Sequence, residues 1–293
     1  MSIALQLLVG LRPNEYERFQ RALLDGGLID QLVAPLDASA AVQQLDIPSE
    51  DALFRLTAAL RLHGLGPGQV RRFWRPSARE LAASALLCMF PWIHASGGRM
   101  PRPERDYDRS SACPACGAGL RPLGPLRLRR GEVPKKGPLG SVSRDVLIVH
   151  DDLRAVWETE RITGVTFVRA LDREGAQLPW HEVRIARTMP PMLSGTTGLQ
   201  RGRIAGERPC ARCGRDGWFD DPEQPFTPLY ARAVLEEVPD IAATSEYFGA
   251  GELCKPLTRS HLASPRLIVR QRVYQLGRRL KLRGLRFSPV ALL

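Results

Sequence analysis

Two pairs of cysteines are the residues in this chain best spaced to do chemistry. One is Cys113-Pro114-Ala115-Cys116-Gly117, the other Cys210-Ala211-Arg212-Cys213-Gly214. Two intervening residues let both thiolates of a pair face one tetrahedral ion, about 2.3 Å from each sulfur. The glycine that follows permits a tight turn, so backbone N–H groups can approach the thiolates. Each knuckle is half of a four-cysteine zinc site, and there is no third pair. Cys113, Cys116, Cys210 and Cys213 are therefore the expected ligands of one structural Zn2+. A compact ribbon would separate the pairs by roughly 15–20 residues. Here 93 residues lie between Cys116 and Cys210, so a shared site would staple distant segments. Four thiolates leave no open position for water, so the metal is not expected to be catalytic. The alternatives are two unfilled knuckles or a redox-active pair. The redox reading lacks the strand feeding a helix on which such a pair sits. Cys88 lies in an apolar run read as a core helix, and Cys254 has no evident partner.

The elements that must position these cysteines differ between the two ends of the chain. Residues 1–100 read as a mainly helical N-terminal region. Helices are expected over 13–24, stopping at Gly26 and Gly27, and over 49–62. The second opens on Ser49 with Glu50 and Asp51 in its first turn, and Gly64 follows as its cap. Ser77-Ala78-Arg79-Glu80 is a capping box, and the apolar helix it opens must end before Pro91. Gly97, Gly98, Pro101 and Pro103 mark the expected domain boundary. From 101 to 293 the pattern turns to strands, at 146–149, 165–168, 181–185, 267–269 and 285–287.

Within that second region an internal repeat runs at an ungapped offset of 120 residues. Leu147-Ile148-Val149 recurs as Leu267-Ile268-Val269, and Gly164-Val165-Thr166-Phe167 as Gly284-Leu285-Arg286-Phe287. Between these anchors Leu153 and Val156 fall opposite Val273 and Leu276, three apart in each copy, as on one helical face. Each copy reads strand, helix, glycine cap, strand. Asp151 or Asp152 can cap the first helix. The identities at one offset favour a duplicated βαβ unit over chance patterning. The expected fold is α+β: a helical N-terminal region, then an α/β region whose two related strand-helix-strand units are stapled by the four-cysteine knuckle pair.

This pattern resembles the bacterial double-CXXCG motif family over about residues 105–293. The likeness rests on the two knuckles, the second extended to Arg215, and on the closing stretch. That stretch comprises Asp240-Ile241-Ala242-Ala243-Thr244-Ser245-Glu246-Tyr247-Phe248-Gly249, then Leu267-Ile268-Val269-Arg270-Gln271-Arg272-Val273-Tyr274 and Gly284-Leu285-Arg286-Phe287-Ser288-Pro289-Val290. Some members are immunity proteins that neutralise toxins passed between neighbouring cells. The resemblance implies a zinc-stabilised, non-enzymatic protein with a protein toxin as partner class, acting by steric occlusion. It does not account for residues 1–100.

Charge supplies the competing reading. The chain of 293 residues carries a net +11, and its 42 basic residues are almost all arginine. A GC-rich coding sequence explains that bias more simply than selection for phosphate contacts. Residues 255–293 hold ten basic residues and no acid, whereas 216–252 hold nine acids against Arg232 alone. Mutual pairing of the two blocks is the plainer expectation. The alternative is DNA binding through this basic C-terminal segment together with the turn Gly64–Gly68 in Leu62-His63-Gly64-Leu65-Gly66-Pro67-Gly68-Gln69-Val70, a run that resembles the hairpin of helix-hairpin-helix proteins. There, glycine amides at a helix N-terminus meet a phosphate. A simple turn between two helices, with Pro67 opening the second, explains the same residues. The basic loop 121–136 has no interleaved aromatics and so makes a poor single-strand platform.

An enzyme is not expected. No G-x-S-x-G, H-E-x-x-H or phosphate-binding loop is present. The histidines at 63, 94, 150, 181 and 261 are scattered. His181-Glu182 falls in an expected strand. No apolar run reaches the ~20 residues of a membrane span. The opening run Ser2–Gly10 lacks a basic flank and a cleavage site. A cytoplasmic protein without membrane contact is the expectation.

Overall fold

A computed structural model describes residues 2–10, 13–28, 42–47, 49–66, 69–91, 107–108, 110, 113, 121–128, 133–134, 137–143, 146–201, 212, 217–221, 224–248 and 264–293. The chain forms two compact units. One is Met1–Ser77 with Pro222–Pro225, the other Ala78–Asp221 with Phe226–Leu293. No helix among the described residues is long and apolar enough to cross a membrane.

The first unit is not mainly helical. It runs β1 (Ser2–Gly10), α1 (Tyr16–Asp25), β2 (Val42–Ile47), α2 (Glu50–Leu62), β3 (Gln69–Arg75), with an antiparallel sheet in the order β2-β1-β3. Leu7 and Val9 of β1 alternate at the two-residue period of a strand, as do Leu45 and Ile47 of β2. All four are buried with Phe19 and Leu23 of α1 and Leu56 and Leu60 of α2. Both helices keep their expected ends. Ser49 Oγ accepts from the Ala52 amide (3.1 Å) at the start of α2. At its end Gly64 turns into the left-handed region (φ 69°) and the Leu65 amide reaches back to Leu60 O (2.8 Å).

The second unit opens with α3 (Ala78–Ala83) and β4 (Leu86–Pro91). Two short strands follow, β5 (Tyr107–Asp108) and β6 (Arg121–Pro122). A longer run then gives β7 (Leu139–Ser143), β8 (Val146–His150), α4 (Asp151–Thr159), β9 (Val165–Leu171) and β10 (Gln177–Ile185). Next come β11 (Leu199–Arg201), β12 (Gly217–Asp220), β13 (Leu229–Tyr230), α5 (Val234–Glu237), β14 (Ile241–Ala243) and β15 (Tyr247–Phe248). The chain closes with β16 (Leu267–Arg270), α6 (Gln271–Arg279), β17 (Leu285–Pro289) and β18 (Ala291–Leu292).

The repeat is a repeat of structure. One sheet has the order β7-β8-β10-β9, the other β14-β16-β4-β17. In the first, Val149 pairs with His181, which pairs with Arg169; in the second, Val269 pairs with Leu87, which pairs with Pro289. The 120-residue offset thus carries through register position by position. It reaches the helix ends, where Arg161 (φ 52°) matches Lys281 (φ 53°) and Gly164 (φ 88°) matches Gly284 (φ 76°). The strands of each unit do run parallel. They are not neighbours as the expected βαβ reading placed them: an antiparallel strand lies between them in both sheets. The first sheet takes that strand from downstream (β10), the second from far upstream (β4). Leu147, Val149, Leu153, Trp157 and Val183 of the first copy share one core with Leu87, Met89, Val269, Val273 and Leu276 of the second.

That upstream strand corrects one expectation. The apolar helix read from the capping box ends at Ala83. Ser84 Oγ bonds back to Glu80 O (2.8 Å), and Leu86–Pro91 is a central strand. Leu87 and Met89 face one core and Leu86 and Cys88 the other, so the segment is apolar at every position and lacks a strand's alternation. Because β4 belongs to the second sheet, the compact division lies between Ser77 and Ala78. The boundary expected near residue 101 lies outside the described residues.

Candidate functional site

The knuckles occupy equivalent places in two small hairpins. Tyr107 and Asp108 pair with Pro122 and Arg121, so the first knuckle lies within the connection of an antiparallel β5/β6 pair. Leu199, Gln200 and Arg201 pair with Asp220, Phe219 and Trp218, which puts the second within the β11/β12 connection. Between the hairpins runs the whole first sheet, β7 to β10. Of the four expected ligands, Cys113 is half-buried; Cys116, Cys210 and Cys213 lie outside the described residues. Among the described residues no group of three or more His, Cys, Asp or Glu side chains could hold a metal. Cys88 is fully buried on β4, a core residue as expected though in a strand; Cys254 lies outside the described residues.

The turn at 64–68, read as a plain turn between two helices with a phosphate contact as the alternative, does not join two helices. β3 begins at Gln69, directly after it, so there is no second helix whose N-terminal amides could face a phosphate. The basic and acidic blocks meet in part: Arg272 Nε lies 3.2 Å from Asp240 Oδ1. Arg279 pairs instead with Glu160, at the end of α4. Asp240 is 3 % exposed, and its carboxylate also accepts from the Thr163 amide and hydroxyl, both at 2.8 Å. The Asp240 amide donates to Thr163 Oγ1 (3.0 Å). This reciprocal pair ties the end of α4 in one copy to the first strand of the other.

A polar cluster around one buried histidine lies on the first sheet where α4 begins, assembled from residues too distant in sequence to be read together. His181 of β10 is 5 % exposed. Its Nδ1 stands 3.6 Å from Asp151 Oδ1 and makes no hydrogen bond. Asp151 is already engaged by Arg169 of β9 (3.0 and 3.4 Å) and lies 3.7 Å from Arg154 Nε. Burial first, then the Arg169 charge, lowers the pKa of His181; Asp151 opposes this, Arg154 adds to it and Glu158 opposes it. On the opposite face of the strand Glu182 (6 % exposed) accepts from Arg184 (3.1 Å).

The second sheet carries an arginine enclosed by aromatic rings. The Arg266 guanidinium carbon lies 4.0 Å from the ring centre of Phe248, 4.5 Å from Phe226 and 4.7 Å from Phe90. Each face supplies attraction from the ring quadrupole. Tyr230, buried in the core that holds Phe226 and Phe248, has its phenol pKa raised by burial and by Glu246.

No protein-family profile matches the chain, and no curated protein matches its sequence.

Proposed function

We propose that this chain is a non-enzymatic, zinc-stapled interaction protein of the double-CXXCG kind, a cytoplasmic immunity protein that occludes the active surface of a protein toxin. The observation that carries the reading is the matched setting of the two knuckles. Each C-x-x-C-G lies in the connection of a short antiparallel hairpin, and together they bracket one complete sheet. Cys113, Cys116, Cys210 and Cys213 would hold one Zn2+, closed to water and so structural in role. Closing a loop of that length around a folded sheet restricts the unfolded chain and contributes metal-binding free energy to folding.

The test is biological and direct. Expression of the adjacent toxin gene should arrest growth, and co-expression of this chain should restore it. Tagged chain, purified with nuclease treatment, should retain the toxin. Nucleic acid that vanishes on nuclease treatment, with no protein left behind, would end the immunity reading in favour of DNA binding.

A further inference from the structure

We infer that the turn between α6 and β17 is a docking surface for an acidic face of a protein partner. Arg278, Arg279, Lys281 and Arg283 crowd into six residues there, all exposed. Arg279 is engaged by Glu160. Among the described residues Arg278, Lys281 and Arg283 have no acidic partner.

Basic residues at a helix C-terminus have an ordinary explanation, the favourable interaction with the carbonyl end of the helix. The first copy tests it. Its turn closes with the same three backbone bonds: Glu160 to Val156, Arg161 to Glu158 and Ile162 to Trp157, against Leu280 to Leu276, Lys281 to Arg278 and Leu282 to Gly277. It does so with Glu158, Thr159 and Thr163 where the second copy has Arg278, Arg279 and Arg283. The backbone therefore does not require the charge. The two turns also abut, since Arg272 donates to the carbonyls of Glu160 and Arg161, so exposed Arg161 extends the same surface.

The chemistry favours a protein over a phosphate backbone. Leu280, 37 % exposed, sits among the charges. The surface is the carbonyl end of α6, which offers a phosphate no amide donors. The aromatic Tyr274 beneath Arg278 is buried and gives no base a stacking platform. A protein face can bring carboxylates to the guanidinium groups, a donor to the helix end and an apolar side chain to Leu280. The inference names the partner's chemistry within the interaction reading above and rests on it only in taking the partner to be a protein.

The probes are a labelled peptide of alternating Glu and Leu and a labelled DNA duplex of similar length. Binding is followed by anisotropy in about 50 mM salt, where exposed charges are weakly screened. Arg278→Glu/Lys281→Glu/Arg283→Glu should weaken peptide binding about tenfold or more. The charge-matched variant Arg21→Glu/Arg61→Glu/Arg79→Glu should leave it nearly unchanged. Equal losses in both variants, no peptide binding by the parent chain, or loss confined to DNA would each overturn the inference. Thermal midpoints are measured alongside; should the Glu variant fail to fold, the corresponding Gln variant must lose peptide binding in the same order. Peptide binding that depends on this turn, with no rescue of growth, would sink the toxin reading and leave the docking surface standing.

Discussion

Where the second copy buries Leu87, the first buries His181, and where the second has Cys88, the first has Glu182. Asp151 and Arg169 likewise stand at the positions of Gln271 and Pro289. Both sheets have the same order and register, so the fold accepts either set. Burying an imidazole and a carboxylate needs compensation that apolar residues do not. The first copy supplies it through Arg169, Arg154 and Arg184. Aromatic packing has been redistributed in the same way. Phe167 and its counterpart Phe287 each pack against a helix aromatic, but from different turns: Trp157 in one copy, Tyr274 in the other. A shared backbone has therefore been kept while the polar and aromatic side chains on it were placed differently in the two copies.

The strongest way to break the equivalence is at the two glycines. Both have positive φ, but a Cβ on Gly164 would overlap the Ile241 carbonyl oxygen and crowd the Pro239 ring. Gly164→Ala should destabilise by about 4 kcal/mol or more, with backbone overlap added to left-handed strain. For Gly284→Ala the left-handed strain predicts a loss of about 1–2 kcal/mol. Denaturant midpoints compare the two, and similar small losses would show that the contact with Ile241 does not constrain the first copy.

Next in size is the tie between copies. Asp240→Asn removes a buried charge that accepts from Thr163 and pairs with Arg272, and leaves donors poorly matched. A loss of about 2–3 kcal/mol is expected by equilibrium unfolding. A change within about 0.5 kcal/mol, the range of ordinary surface substitutions, would mean the copies are held by their apolar core alone.

The smallest effect is a pH slope. The His181 pKa is lower in the folded chain than its ordinary 6.5, so at acid pH the unfolded chain takes up a proton that the folded chain resists. The associated stability is intact above about pH 6.5 and is lost as pH falls from there through the folded value. The slope is at most about 1.4 kcal/mol per pH unit. His181→Leu, which installs the second copy's residue, should flatten it between pH 7 and 5. An unchanged slope would assign the acid sensitivity to other groups.

Much of this was legible before any coordinates. The 120-residue repeat, both helix caps of α2 and the five strands of the second region follow from local pattern, because periodicity and glycine placement are local properties. The central strands were not. Leu86-Leu87-Cys88-Met89 and Trp180-His181-Glu182-Val183 share no residue, and only pairing across the sheet makes them equivalent. A strand buried on both faces, as β4 is, also reads like a helix. The alternation in β1 is present in the sequence but sits within a region of strong helix signals. The cysteine knuckles declare themselves by spacing, whereas His181, Asp151 and Arg169 come together only through the fold.

Zinc content of the purified chain tests the central claim most directly. The account predicts one zinc per chain, lost together with stability in Cys113→Ser and again in Cys210→Ser, since either substitution removes a ligand from the same ion. Stoichiometric zinc retained by both variants would contradict a shared four-cysteine site.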